Sequence, residues 1–144
     1  MKLRKQKNKH SCSVIALLNV LALQGKDYSY KHQYAFFSKL LKLDETGTSR
    51  KDFDKAIKSF FKDGLKKTNP KIKDLRKYVN NNVVVVLGTD YQGFAHVGIV
   101  LKFTKEYVFL CNWGRKHKVI RKVKVDTLKT WMSEWCVAYC IEKT

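Results

Sequence analysis

The residues best suited to covalent chemistry in this chain lie near its beginning, around Cys12. An apolar run at 14–23 is followed by Gly25, which predicts a buried helix, and Ser11 is positioned as its N-cap. Cys12 then occupies the first turn, where free N–H groups and the helix dipole stabilise a thiolate, so we expect its pKa to be lowered. Gln6 lies six positions earlier, and its side-chain amide could donate a hydrogen bond beside the same sulfur.

A second pair of chemically useful side chains lies in the segment Gly93–Gly114. Two predicted strands meet there at a short turn, and centring the hairpin on Thr104 places His96 opposite Asn112. Opposed side chains on antiparallel strands share a face and lie about 5 Å apart. We therefore expect the side-chain carbonyl of Asn112 to hold one ring nitrogen of His96. Trp113 would shield that hydrogen bond from water.

Cysteine, histidine and an orienting amide form the nucleophile, base and orienter of a covalent hydrolase. In this interpretation Cys12 attacks the carbonyl carbon of a peptide amide. His96 takes the thiol proton and later protonates the leaving amine, while Asn112 orients the ring. Gln6 and the backbone N–H of Cys12 hold the oxyanion.

Each of these residues also has a plainer interpretation. An isolated cysteine is most often a small packing residue, and a lone strand histidine is most often a satisfied core residue. The coincidence of all three types in one predicted arrangement favours catalysis. A zinc set is a further alternative, but strand neighbours four positions apart stand too far apart for routine chelation, so we expect neither metal nor cofactor. Its members would be Cys111, His117, Cys136 and Cys140.

The elements that would position these groups are a helical first half and a strand-rich second half. Further helices are predicted at 30–43, from Ser49 (with Asp52 in a capping box) to Gly64, at 71–79 before the run Asn80–Asn82, and after Asp126 or Thr127. Strands are predicted at 83–87, 95–102, 106–111, 117–125 and 136–141. This order predicts an α+β fold in one domain, 1–144, with N-terminal helices packed on an antiparallel sheet of about five strands.

The charge balance is strongly basic, with 30 Lys and Arg against 12 Asp and Glu, a formal net charge of +18. Such a field attracts nucleic acid and other anionic partners. A catalytically inactive binding module that uses this basic surface is therefore the alternative to a hydrolase. Residues 1–9 carry five of the cations and, apart from Gln6, are predicted to be a solvated arm.

Cysteine usage and hydropathy bear on the setting of the protein. Four cysteines without paired short spacings do not suggest a disulfide framework, so we expect a reducing, cytoplasmic environment. The basic N-terminus and the apolar run after it imitate a secretory signal, but Ala22-Leu23-Gln24 is not a cleavage site. No apolar stretch approaches the eighteen or so residues that a membrane-spanning helix needs.

Taken in order, these features resemble the papain-like cysteine peptidases, and most closely the compact double-glycine leader peptidases that process bacteriocins. The matching features are Gln6, Cys12, Gly25, the stretch Gly47–Ser49, the helix at 71–79, the valine-rich strand at 83–86, His96, and Trp131 or Trp135. The resemblance implies a papain-like fold and hydrolysis of a peptide or protein substrate.

The chain departs from that family at two places. Ser13 follows the cysteine where the family has a small residue such as glycine, and Asn112-Trp113 stands where it has Asp-Pro. Asparagine as the orienting residue resembles papain itself, so the triad remains chemically complete. The sequence HVGIV at 96–100 also resembles the histidine strand of cell-wall cysteine amidases, which leaves the substrate open.

Overall fold

A computed structural model describes residues 2–61, 64–80 and 82–143, and along this part of the chain five helices and six strands follow one another. The helices are α1 (Cys12–Leu23), α2 (Tyr30–Leu40), α3 (Arg50–Phe60), α4 (Ile72–Tyr78) and α5 (Val125–Met132). The strands are β1 (Leu65–Thr68), β2 (Val83–Tyr91), β3 (Phe94–Phe103), β4 (Tyr107–Cys111), β5 (Ile120–Lys124) and β6 (Cys136–Glu142). Asn81, within the run predicted to end the fourth helix, lies outside the described residues.

The central helix α1 is buried along nearly its whole length, as its apolar sequence predicts. Ten consecutive residues, 13–22, are shielded from solvent. The helix ends at Leu23, and Gly25 just beyond it has a φ of +72°, so that the N–H groups of Gly25 and Lys26 turn back to the carbonyls of Ala22 and Leu21. Ser11 occupies the N-cap position, but its side chain makes no capping hydrogen bond.

The six described strands form one antiparallel sheet in the order β1-β6-β2-β3-β4-β5, so the α+β prediction is confirmed. The prediction of about five strands missed β1, which pairs with β6 at the edge of the sheet. Its sequence, Leu-Lys-Lys-Thr, is mostly exposed and has no apolar alternation, and such a pattern alone does not distinguish an edge strand from a loop.

The sheet is covered on both faces, and β2 shows why its valine run has no polar alternation. Val84 and Val86 pack into a cluster with α1, α2 and α3. Val85 and Leu87 face the opposite cluster, which includes residues of α4 and α5. Because each buried valine or leucine contributes roughly 1.5–3 kcal/mol, a strand with apolar residues on both faces stabilises the two layers together.

Two predicted helix boundaries have different outcomes. Ser49 caps α3 as expected: its hydroxyl accepts a hydrogen bond from the Asp52 N–H at 3.1 Å. The cap predicted at Asp126 or Thr127 is wrong, because α5 begins at Val125 with Lys124 as its N-cap. Strand β5 therefore runs directly into α5 without an intervening loop.

The predicted register of the β3–β4 hairpin is also wrong. Ile99 lies opposite Cys111, whereas a hairpin centred on Thr104 would place it opposite Phe109. The connection is longer than expected, with Phe103 opposite Val108, and an irregularity between Val100 and Lys102 shifts the pairing again. In the observed register His96 cannot lie opposite Asn112, which follows the last residue of β4.

The N-terminal segment is docked on the core and is not the solvated arm that its charge predicts. Asn19, fully buried in α1, accepts a hydrogen bond from the Arg4 N–H at 2.7 Å and donates to the Arg4 carbonyl at 2.9 Å. It also donates to the sulfur of Cys111 at 3.3 Å. The Arg4 guanidinium lies 4.1 Å from the centroid of the Tyr30 ring. A buried polar residue in a mostly apolar helix thus helps to hold the N-terminal segment in place.

Two further properties of the described residues bear on the expectations above. No helix among them is both long and apolar enough to cross a membrane. Within the same residues, no three His, Cys, Asp or Glu side chains are grouped closely enough to hold a metal ion.

We expect Asn19→Ala to lower the free energy of unfolding by about 2 kcal/mol, because it leaves the partly buried backbone N–H and carbonyl of Arg4 without partners. Urea unfolding would measure the loss. Asn82→Ala, at an exposed turn position whose side chain makes no hydrogen bond among the described residues, should cost no more than about 0.5 kcal/mol. The variant Asn19→Ala should also be cut faster by trypsin within residues 2–9. Equal losses of stability and equal proteolysis in the two variants would contradict the role of Asn19.

Candidate active site

A cleft of about 890 Å³ brings three of the sequence-predicted residues together. Gln6, Cys12 and His96 all line it. The stretch Gly47–Ser49 forms part of the opposite wall. Asn112 is fully buried behind the cleft and contacts two of the lining residues.

Cys12 is the first residue of α1, as expected, but its pKa is raised and not lowered. Burial of the half-buried thiol disfavours the thiolate and is the largest effect. It is opposed by hydrogen bonds from the backbone N–H groups of Val97, Ser13 and Cys12 itself. The prediction of a lowered pKa was therefore wrong, because the helix terminus is packed against β3 and largely shielded from water. Val97 is the residue next to His96, so its contact with the sulfur ties α1 to the histidine strand.

His96 is buried, with 4% of its surface exposed, and its ring is fixed by a single strong contact. The Nε2 atom lies 2.8 Å from the backbone carbonyl oxygen of Asn112. A carbonyl only accepts hydrogen bonds, so Nε2 carries the proton and Nδ1 carries the free lone pair of the neutral ring. Burial lowers the pKa of His96 to about 4, against a smaller raising effect of the Asn112 hydrogen bond.

Asn112 contributes to this arrangement through its backbone, which corrects the predicted side-chain contact. The residue follows the end of β4 and has a φ of +58°, a left-handed conformation that asparagine tolerates. Its side chain turns away from His96. The Asn112 Oδ1 accepts from the Gln6 backbone N–H at 2.9 Å, and its Nδ2 donates to Gln6 Oε1 at 3.0 Å.

Gln6 is consequently held at both ends of its side-chain amide. Its Oε1 accepts from Asn112, and its Nε2 donates to the Asn8 carbonyl at 2.9 Å. A primary amide has two N–H groups, so a second donor on Nε2 remains for another partner. Because Gln6 is 5% exposed and lines the cleft, that donor lies in a site from which water is mostly excluded.

Aromatic rings surround His96 on several sides. Trp113 is fully buried and packs edge-on against the imidazole, with ring centroids 4.8 Å apart. The side-chain hydrogen bond that it was predicted to shield is replaced by the contact of His96 with the Asn112 backbone. The rings of Tyr91 and Phe94 also lie against the imidazole, with centroid distances of 5.6 and 6.4 Å, respectively. Arg121 donates hydrogen bonds to the Tyr91 hydroxyl and to the Trp113 carbonyl. This cage explains the desolvation of His96.

The opposite wall contains residues that sequence reasoning did not assign to the site. The Ser13 hydroxyl, at the position where the family has a small residue, hydrogen-bonds to the Thr48 hydroxyl at 2.9 Å and so joins α1 to that wall. The guanidinium of Arg50 lies 3.6 Å from the centroid of the Trp135 ring. Nothing in the local sequence indicates these contacts between distant segments of the chain. The Gly47–Ser49 stretch was, however, among the features of the family resemblance.

Comparison with known proteins finds solved structures that share this fold. No protein-family model matches the sequence, and no curated protein matches it by sequence. The fold is similar to that of the peptidase domain of Streptococcus ComA, a bi-functional ABC transporter involved in quorum sensing, with a TM-score of 0.70, 17% identity, and 97% of each chain covered.

Two further solved structures have the same fold. One is a double-glycine motif protease from an AMS/PCAT transporter, determined in complex with the leader peptide, with a TM-score of 0.68 and 13% identity over 97% of this chain and 91% of that chain. The other is the peptidase domain of Streptococcus mutans ComA, with a TM-score of 0.62 and 12% identity over 96% and 98%. The predicted papain-like fold, of the double-glycine peptidase type, is confirmed. Identities this low establish the fold alone.

The buried neutral His96 predicts a specific dependence of stability on pH. The unfolded chain binds a proton at His96 below about pH 6.5, but the folded chain binds it only below about pH 4. Acidification from pH 7 to 4 should therefore reduce the free energy of unfolding by about 3 kcal/mol through this residue.

Urea unfolding of wild type and His96→Gln across this range would measure the difference, because the variant lacks that part of the slope. His32→Gln, which removes an exposed histidine, should keep the wild-type slope. Parallel curves for wild type and His96→Gln would contradict the low pKa.

Proposed function

We propose that this protein is a cysteine peptidase with Cys12 as nucleophile and His96 as general base and acid. One observation carries the proposal: Cys12 and His96 line the same cleft, and the only proton of the neutral His96 ring is held on Nε2 by the buried carbonyl of Asn112. The basic Nδ1 of His96 is thereby left for the thiol. Both residues line one cleft large enough for a peptide.

The reaction follows from the protonation states. As the sulfur of Cys12 attacks the carbonyl carbon, its proton passes to Nδ1 of His96. The resulting imidazolium donates that proton to the leaving amine, the carbon–nitrogen bond breaks, and a thioester remains on Cys12. His96 then takes a proton from a water molecule, which attacks the thioester. The carbon–sulfur bond breaks, the acid is released, and the imidazolium returns its proton to the sulfur of Cys12.

Burial of both groups indicates a neutral resting pair. The pKa of Cys12 is raised and that of His96 is lowered to about 4, so thiol and imidazole are both uncharged near neutral pH. The ion pair forms during the reaction, when the developing imidazolium is stabilised by the Asn112 carbonyl on Nε2. Asn112 is thus a positioning residue that acts through its backbone.

The negative charge of the tetrahedral intermediate requires donors that are already in place. The Cys12 N–H lies at the free N-terminus of α1. The amide of Gln6, which lines the same cleft, is oriented by its contacts with Asn112 and Asn8, and its second Nε2 hydrogen remains for a ligand. We assign these two donors to the oxyanion hole, where each such donor is typically worth 10²–10³ in kcat.

The substrate that we propose is a peptide or protein segment. A structure with the same fold contains a leader peptide. In the present protein, side chains from several segments line the cleft, and an extended peptide bound there would contact them. The four cysteines are unpaired, which is in keeping with the proposed cytoplasmic, reducing environment.

The decisive experiment is mass spectrometry of a peptide library after incubation with the protein. We expect cleavage by wild type, loss of at least 10³-fold in rate with Cys12→Ala, and unchanged cleavage with Cys140→Ala, a matched control at a half-buried cysteine outside the cleft. Cleavage that persists in Cys12→Ala would exclude Cys12 as the nucleophile, whereas absence of cleavage by wild type would favour the inactive binding module.

The pH profile of the reaction tests the neutral pair separately. Because His96 has a pKa of about 4 in the substrate-free protein, kcat/KM should remain constant as pH falls from 7 to about 5. Steady-state rates on a peptide found in the library would show this plateau. A decrease centred near pH 6.5, the value of an ordinary histidine, would show that His96 titrates as an exposed residue.

A further inference from the structure

The rim of the cleft is strongly basic. Lys9, Arg50, Arg115 and Lys116 line it, against a single acid, Glu45. All five residues are exposed, and of the four cations only Arg50, which is stacked on the Trp135 ring, makes a ring contact among the described residues. The ion pairs among the described residues lie elsewhere and use other lysines. Unpaired charges of one sign around a concave site focus their field on whatever enters it.

Two of these cations lie on a loop held against the wall that carries His96. Gly114 opens the loop with a φ of +98°, and a side chain there would lie 3.0 Å from the Tyr91 hydroxyl, so the backbone touches the residue that packs on His96. The loop closes with the His117 N–H donating to the Gly114 carbonyl at 3.1 Å. Lys5 donates to the His117 carbonyl at 2.8 Å and ties the loop to the N-terminal segment. Arg115 and Lys116 are therefore presented from an anchored backbone.

The local field at this loop is positive even before a ligand arrives. The pKa of His117 is lowered, first by burial and then by the nearby charges of Arg121 and Lys5. An incoming carboxylate would relieve this repulsion, whereas an incoming lysine or arginine would add to it.

The proposed reaction determines which side of the scissile bond lies near the loop that carries Arg115 and Lys116. His96 must reach the leaving nitrogen to protonate it, so the leaving segment runs along the His96 wall. We infer that the cleft selects peptides with Asp or Glu on the leaving-group side of the scissile bond, and that Arg115 and Lys116 bind those carboxylates. This specificity rests on the proposed peptidase function and names its substrate class.

A binding experiment tests the acidic preference without requiring cleavage. The probes are fluorescein-labelled nonapeptides of alternating Glu and Ala, or of Gln and Ala, titrated with the Cys12→Ala protein and followed by anisotropy. Exposed charge pairs are individually weak, so two of them should favour the Glu peptide about tenfold at low salt and much less at 0.5 M salt.

The matched variants separate the loop from the overall charge. Arg115→Gln with Lys116→Gln should remove the preference for the Glu peptide. Lys73→Gln with Lys77→Gln removes two exposed cations from α4, outside the cleft, and should retain the preference. Equal losses in the two double variants would overturn the inference, because net charge alone would then explain binding.

The cleavage products of the peptide library provide the second readout. Enrichment of Asp and Glu just after the cleaved bond, lost in the Arg115/Lys116 double variant, would support the inference. Cleavage by wild type without that enrichment would overturn it and leave the peptidase proposal intact. Acidic-peptide binding in a protein that cleaves nothing would contradict the peptidase proposal alone. An oligothymidylate that binds more tightly than the Glu peptide through Arg115 and Lys116 would identify nucleic acid as the occupant and overturn the inference.

Discussion

The arrangement of the cleft depends on the paired hydrogen bonds between Gln6 and Asn112. Residues 106 positions apart join a segment at the start of the chain to the end of β4. Each bond contributes only about 1 kcal/mol net, but a buried amide left without its partner would cost more. The pairing occupies the Asn112 side chain, so the backbone carbonyl is what meets His96. It also holds Gln6 beside the beginning of α1, and one contact therefore positions two parts of the proposed site.

Exclusion of water from the buried part of the site shifts the pKa values of both Cys12 and His96. Packing of the α1 terminus against β3 raises the pKa of Cys12, and the aromatic cage lowers the pKa of His96 to about 4. Both changes favour uncharged groups at rest. In the same environment hydrogen bonds to a developing charge are strong, because the surrounding dielectric is low. The basic side chains at the rim stay exposed, so long-range attraction and the buried chemistry occur in separate parts of one cleft.

Individual elements show where sequence patterns succeed and where they fail. The buried helix α1, the Ser49 cap and the valine strand β2 were predicted correctly, because each follows from residues close together in the chain. Strand β1 was missed since the strand that it pairs with, β6, lies about seventy residues away. The hairpin register failed because the turn lies further along the chain than expected, with Phe103 opposite Val108, and neither this nor the irregularity near Leu101 has a signature in the local sequence. Charge predicted a solvated arm, and one buried asparagine reverses that.

The sequence by itself determined the residue types of the proposed site and their order along an α+β chain, because helix periodicity, strand composition and turn residues are local properties. It placed Cys12 at a helix start and His96 on a strand, and the structure agrees. Only the tertiary structure decided that Asn112 holds His96 by its backbone and that burial outweighs the helix terminus at Cys12. Both outcomes depend on packing between distant segments, which sets hydrogen-bond geometry and desolvation and has no counterpart in local sequence patterns.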